Sequence, residues 1–203
     1  MGTIAREFKD KPNILYSLWN EPNGDMTPEG KGNYERAWES WLKIGIKIAQ
    51  SIRDEDPKAI LLVPGGRLWG RNLSYYQSHP FPFDNVIYNV HDYWAPAGYP
   101  YSRDMWTWVV GKYPLIVAEF GGVSGGRGTY NGEEDVRYVK EVIDIVNSKP
   151  LLIHYIAFHF SGCREGQNAP CLFMGNVNNP SALSGRGQVI FDDLQTKPPT
   201  KFR

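Results

Sequence analysis

Long apolar runs are missing from this 203-residue chain, and no stretch is long enough to span a bilayer as a helix. Charge of one sign is missing too. Twenty-two Lys and Arg balance 22 Asp and Glu, so there is no basic footprint for nucleic acid or for an anionic membrane. Cysteine is scarce: Cys163 and Cys171 stand alone, with a Gly/Asn/Pro-rich loop between them. A disulfide suits an exported protein and two free thiols suit an intracellular one, and both readings stand at this level. No signal peptide is visible at Met1–Thr3, which leads straight into a helix-like segment, and no repeat, linker or low-complexity segment interrupts the chain. Asn72-Leu73-Ser74 fits the N-glycosylation triplet, a pattern that also arises by chance.

Aromatic residues are abundant, with seven Trp, twelve Tyr and nine Phe. Most fill a core, and a few are expected to form flat platforms on which the C–H faces of sugar rings stack. The apolar residues alternate between two patterns. Short β-branched runs at Asn13–Trp19, Ile60–Val63, Val86–Val90, Leu115–Ala118 and Ile153–Phe158 predict strands buried on both faces of a parallel sheet. Between them lie amphipathic segments. Tyr34, Trp38, Trp41, Gly45, Ile48 and Ile52 form one helical stripe behind an Asn33 cap. Val136, Val139, Ile143 and Val146 form another behind an acidic start. Shorter helices are expected at Ser102–Val110, Arg71–Gln77 and Gly187–Leu194.

Alternating strands and helices leave a doubly wound sheet or a (βα) barrel. A doubly wound nucleotide binder carries a Gly-rich turn after its first strand. Here that strand ends in Asn20-Glu21-Pro22, and neither Gly65-Gly66 nor Gly121-Gly122 has phosphate-cradle spacing. Gly125–Gly128 reads as loop. A barrel gathers the C-terminal ends of its strands at one mouth. Glu21 and Glu119 both sit at such ends, where an acid following an apolar run is costly unless something uses or pairs it. Two carboxyls in one mouth push their pKa values apart, leaving one a proton donor and the other ionised. Glycosidic cleavage needs such a pair, with roughly 5–5.5 Å between carboxyls for a retaining mechanism. His91 and Tyr93, two apart, point the same way if their strand reaches that far.

The segments "ILYSLWNEPNG", "VIYNVHDYW" and "LIVAEFGG", in this order, resemble glycoside hydrolase family five, the cellulase-like (β/α)8-barrel retaining hydrolases. The resemblance implies that Glu21 is the general acid/base and Glu119 the nucleophile. It implies that Asn20 holds the sugar 2-hydroxyl, that Tyr93 is the tyrosine near the nucleophile and that His91 is the histidine preceding it, a pair expected to position a carboxylate and a sugar hydroxyl. Trp69 and Trp94 are candidate sugar platforms. The family's Trp at the end of strand eight is replaced here by Phe158, His159 and Phe160, so Phe158 and His159 are candidate substrate contacts.

The family's acid/base ends barrel strand four, yet only about a dozen residues precede that strand here. The expectation is therefore an α/β partial (β/α)8 TIM barrel of about five βα units. Strands one to three are absent, and residues 1–203 form the C-terminal part of a catalytic domain. Open edges on five strands imply completion by a missing N-terminal half or by a homodimer. The expected activity is retaining endo-hydrolysis of a β-linked polysaccharide, first a β-1,4-glucan, with no metal or other cofactor, in an extracellular setting. A β-mannanase is the near alternative. A catalytically impaired half-barrel that binds carbohydrate or self-assembles is the distant one.

Overall fold

The computed structural model describes residues 1–93, 102–122, 130–149, 153–164, 168–178 and 182–197. Trp94 and the Gly125–Gly128 loop lie outside the described residues. The elements are α1 (Gly2–Phe8), β1 (Leu15–Ser17), α2 (Tyr34–Arg53), β2 (Ile60–Pro64), β3 (Val86–Tyr93), α3 (Asp104–Thr107) and β4 (Leu115–Gly121). They continue as α4 (Glu133–Asn147), β5 (Ile153–Tyr155), β6 (Gly162–Cys163), β7 (Phe173–Met174) and α5 (Gly185–Thr196). β1 to β5 form one five-stranded sheet in chain order, and β1, β2 and β3 pair in parallel. Consecutive parallel neighbours joined through helices are the βα units that the sequence pattern predicts.

Burial follows the apolar runs except at the two ends of the sheet order: the run expected over Ile153–Phe158 stops as a strand at Tyr155 and leaves Ile156 50 % exposed, because β5 has only β4 beside it. β2 and β3 are covered along nearly their whole length. β1 instead alternates, with Tyr16 buried but Leu15 44 % exposed. It corrects the expectation of burial on both faces, and the reason is positional: β1 ends the sheet order and has only β2 beside it. The pair β6–β7 was not legible in the sequence, because two-residue strands carry no periodicity.

Two compact units divide the chain. The described part of the first comprises residues 1–91, 102–117 and 153–154. Its core centres on α2. Asn33 caps that helix, its Oδ1 accepting from the Arg36 amide at 3.0 Å. Trp38 and Trp41 are buried, and Trp41 Nε1 donates to Tyr76 Oη at 2.9 Å. Tyr76 Oη in turn donates to the Pro64 carbonyl at 3.1 Å, so a fully buried hydroxyl is satisfied twice. Gly66 lies flat against the two indoles. A Cβ there would meet Trp41 Cδ1 at 2.4 Å and Trp38 Cε3 at 2.8 Å, closer than any side chain allows. Tyr34, expected in the buried stripe, is 43 % exposed, and the Arg67 guanidinium lies over its ring at 4.6 Å. Arg6 pairs with Glu55, joining α1 to the end of α2.

The second unit comprises, among described residues, 92–93, 118–122, 130–149, 155–164, 168–178 and 182–197. Its α4 packs against α5. Val139, Val142, Ile143 and Val146 are buried on α4. α5 starts two residues earlier than the sequence suggests because Ser184 caps it. The Ser184 hydroxyl accepts from the Gly187 amide at 3.1 Å and donates to the Cys171 carbonyl at 2.8 Å. Cys163 and Cys171 form a disulfide, which decides between the two readings of the sulfurs. Asp193 joins three elements, accepting from Asn147 of α4 and Tyr155 of β5, each at 2.7 Å, and pairing with Lys197 beyond α5.

Candidate active site

In the first unit, Glu21 follows β1 and the turn that leaves it. Leu18 still pairs with β2, its amide donating to the Leu62 carbonyl at 3.1 Å. The chain then turns sharply at Glu21, whose φ is +45°. A non-glycine residue in that region costs roughly 1–2 kcal/mol, a strain typical of functional positions. The Glu21 side chain is 31 % exposed and its Oε1 lies 3.0 Å from His91 Nδ1. His91 itself is 4 % exposed. Asn20 is exposed beside it, and Pro22 is buried, turning the chain away without an amide to satisfy. The following loop is locked by the Gly24 amide donating to the Gly66 carbonyl at 2.9 Å and by an Arg67–Asp25 ion pair at 2.8 Å.

Trp69 belongs to a tight turn after β2. Leu68, Trp69 and Gly70 all have positive φ, at +53°, +55° and +78°, and the Arg71 amide donates back to Leu68 at 3.3 Å. Turns of this hand normally use Asn and Gly, so Leu and Trp are held there against their preference. The result leaves Trp69 40 % exposed. A Cβ on Gly70 would lie 3.7 Å from Glu21 Cα, so the turn rests beside the strained acid. Sequence reasoning selected Trp69 for its position but had no signal for the strain, which is a tertiary effect. Asn72, first residue of the glycosylation triplet, is 2 % exposed and accepts from the Ser74 amide at 2.8 Å, so that side chain is not an acceptor for a glycan.

In the second unit, Glu119 is half-buried on β4, and Tyr93 donates to its Oε2 at 3.0 Å. Burial, then the Glu119 charge, push the Tyr93 hydroxyl far above the ordinary phenol range, so it remains a donor. β3 continues to Tyr93, which meets the condition for His91 and Tyr93 to share a face. Next to Tyr93 on the strand, Asp92 is fully buried and accepts from Tyr138 of α4 at 3.0 Å. Phe158 and His159 are half-buried, with ring centroids 4.8 Å apart, and the His159 amide donates to Pro170 at 3.0 Å. Phe160, 71 % exposed, leans edge-on against Phe173.

Sequence reasoning missed Arg186 and Asp135, both fully buried, with Arg186 Nη1 3.7 Å from Asp135 Oδ2. Asp135 follows the acidic start of α4, and the sequence reading assigns it no role. Its Oδ1 accepts from Gly122 at 2.6 Å and its Oδ2 from Asn131 at 2.8 Å. The adjacent glycines after Glu119 were the available signal, since close approach of a bulky group to a strand end demands residues without a Cβ.

Strands in chain order in one sheet, with an acid just past β1 and another on β4, suit part of an α/β barrel that gathers its functional groups at the strand ends. Residues 1–162 match cellulase, glycosyl hydrolase family 5, and the chain belongs to that family. Endoglucanase A of Butyrivibrio fibrisolvens is 30 % identical over 135 residues, which are 66 % of this chain and 28 % of that protein. Endoglucanase CelA of Streptomyces lividans is 28 % identical, covering 79 % of this chain and 32 % of its own. The catalytic domain of Thermobifida fusca endoglucanase Cel5A superposes with a TM-score of 0.71 at 22 % identity, over 96 % of this chain and 61 % of that one. A β-glucanase from Saccharophagus degradans gives 0.68 at 21 %, over 98 % and 61 %. These superpositions show the fold, α/β and part of a (β/α)8 barrel. The chain spans about a third or less of the length of the two curated relatives and about three-fifths of each solved chain.

Proposed function

We propose that the protein is a retaining endo-β-glycosidase acting on a β-1,4-glucan, with Glu21 as acid/base and Glu119 as nucleophile. The observation that carries this reading is on β3. Its alternate residues His91 and Tyr93 hold Glu21 and Glu119 respectively, and side chains two apart on a strand leave the same face. Glu119 attacks the anomeric carbon while Glu21 protonates the leaving oxygen. Water activated by Glu21 then releases the glycosyl group. Tyr93 steadies the attacking carboxylate and His91 the acid. Asn20 takes the 2-hydroxyl, and Trp69, Trp94, Phe158 and His159 contact other sugar units. The relatives' endoglucanase names support a glucan over a mannan.

Residues 1–203 act in this proposal as the C-terminal part of one catalytic domain. Further βα units beside β1 complete it, supplied by more of the same polypeptide or by a second copy. Exposed Leu15 and Trp19 support that completion. The disulfide supports an extracellular setting. Among the described residues no helix is long and apolar enough to cross a membrane.

Reducing-sugar release from soluble β-1,4-glucan and from β-mannan tests the reading. Turnover of glucan that Glu119→Gln abolishes supports it. Faster release from mannan moves the substrate to the alternative. Carbohydrate binding without turnover by the unsubstituted protein favours the impaired half-barrel.

A further inference from the structure

The end of β4 is gripped by a buried ion pair. Arg186, the second residue of α5, is fully buried and its Nη2 donates to the carbonyl of Phe120, the residue after Glu119. Asp135 of α4 takes the Gly122 amide and faces Arg186. Between these two bonds lies Gly121. A Cβ there would sit 3.2 Å from both Arg186 Nη1 and Asp135 Oδ1, so any side chain at this position crowds the pair. At Gly122 a Cβ would meet the Asp135 backbone at 2.4 Å. The two glycines of the Glu119-Phe120-Gly121-Gly122 run are thus explained by one clamp. The Tyr130 ring, 5.8 Å from the guanidinium carbon, covers its other side.

Such a pair is an expensive way to hold a strand. Burying Arg and Asp costs several kcal/mol per ion, and apolar residues of similar volume often serve stability as well. Moreover the pairing is incomplete: among the described residues Arg186 Nε and Nη1 make no hydrogen bond, and Nη1 stands 3.7 Å from Asp135 Oδ2. The guanidinium thus stands in a low-dielectric site beside the carbonyl of the residue that follows Glu119. Burial pulls the Arg186 guanidinium down from its ordinary value, while Asp135 and then Tyr93 and Tyr130 push it back up. Reciprocally, the Arg186 charge acts to lower the Tyr93 hydroxyl, against the larger upward effects of burial and Glu119. Arg186 and the Tyr93–Glu119 hydrogen bond therefore lie within one electrostatic neighbourhood.

We propose that Arg186, seated by Asp135, is a positioning residue for the nucleophile, fixing the end of β4 so that Glu119 stays in register with the Tyr93 hydroxyl. The inference rests on Glu119 being the nucleophile for its kinetic consequence, but not for its geometry. The strand end has two anchors, one on each side of Gly121, and both are side chains that carry charge. Loss of Arg186 releases the Phe120 carbonyl and leaves Asp135 without its counter-charge.

The test compares Arg186→Met, Tyr93→Phe and the double variant, with Arg186→Met/Asp135→Asn in place of the first if the single variant fails to fold, since that pair strands no buried charge. Crystal structures should show the Tyr93 Oη–Glu119 Oε2 contact, 3.0 Å in the parent, lengthened beyond about 3.5 Å in the Arg186 variant. On soluble glucan, kcat should fall about 10-fold or more with KM within about twofold, because the loss is in the transition state. In the Tyr93→Phe background the same change should cost less than about threefold, since residues acting through one contact are not additive. An unmoved contact overturns the proposal. So does an unchanged kcat, or an equal fold-loss in both backgrounds, which is what a clamp serving stability alone would give. If the parent hydrolyses no glucan, the hydrolytic reading fails, and the contact distance alone decides the positioning role.

Discussion

Trp69, a sugar platform in the proposed function, sets substrate binding against stability. It is held at a φ of +55° and stays 40 % exposed, so the backbone there stores strain that a glycine would release. Trp69→Gly is expected to leave the urea midpoint unchanged or higher while KM for a glucan oligosaccharide rises about 10-fold, a loss of about 1.4 kcal/mol. Denaturation and steady-state kinetics on the same preparation check both signs. Tyr76 behaves oppositely. Tyr76→Phe removes one oxygen and leaves Trp41 Nε1 and the Pro64 carbonyl without that partner. The expected cost is about 1–3 kcal/mol of unfolding free energy by urea titration, with no change in kcat. At this scale the residue types of the site were legible, because acids closing apolar runs are conspicuous. Their backbone strain was not, because Glu21 and Trp69 are forced to positive φ by the turns around them and not by their own preferences.

Among the elements, α5 depends most on charge. Burial pushes the Asp193 carboxyl up, but its bonds to Lys197, Tyr155 and Asn147 together outweigh that and hold it below the ordinary carboxylate range. The sign follows from linkage. A depressed folded value contributes stability that is complete above the unfolded value, about pH 4, and is lost as pH falls through the folded value. Asp193→Asn should therefore lower stability at pH 7 and flatten its decline below about pH 4, as followed by circular dichroism during acid titration. α2 and α4 were legible as elements because their stripes repeat over many residues and Asn33 marks a start. β1 shows where that reasoning stops. The run Asn13–Trp19 is apolar enough for a strand covered on both faces, yet exposure of Leu15 is decided by what lies beside the strand. β6 and β7 are joined by the fold around the Cys163–Cys171 bridge, which no periodicity announces. That bridge closes a short loop, and a chain-entropy argument gives it about 2–3 kcal/mol. Reduction under native conditions should lower the thermal midpoint by calorimetry.

For the whole molecule, family membership and fold stand on the match of residues 1–162 and on superposition over nearly the entire chain. The proposed catalysis rests on two carboxylates, each held by its own neighbour on β3. The stereochemistry of the product addresses them most directly. Proton NMR of a glucan digest, started with the protein and read before mutarotation, reports the anomer released first. The account predicts the β-anomer, the outcome of double displacement through Glu119, and its disappearance in Glu119→Gln. Initial release of the α-anomer, or turnover unaffected by Glu119→Gln, would contradict it.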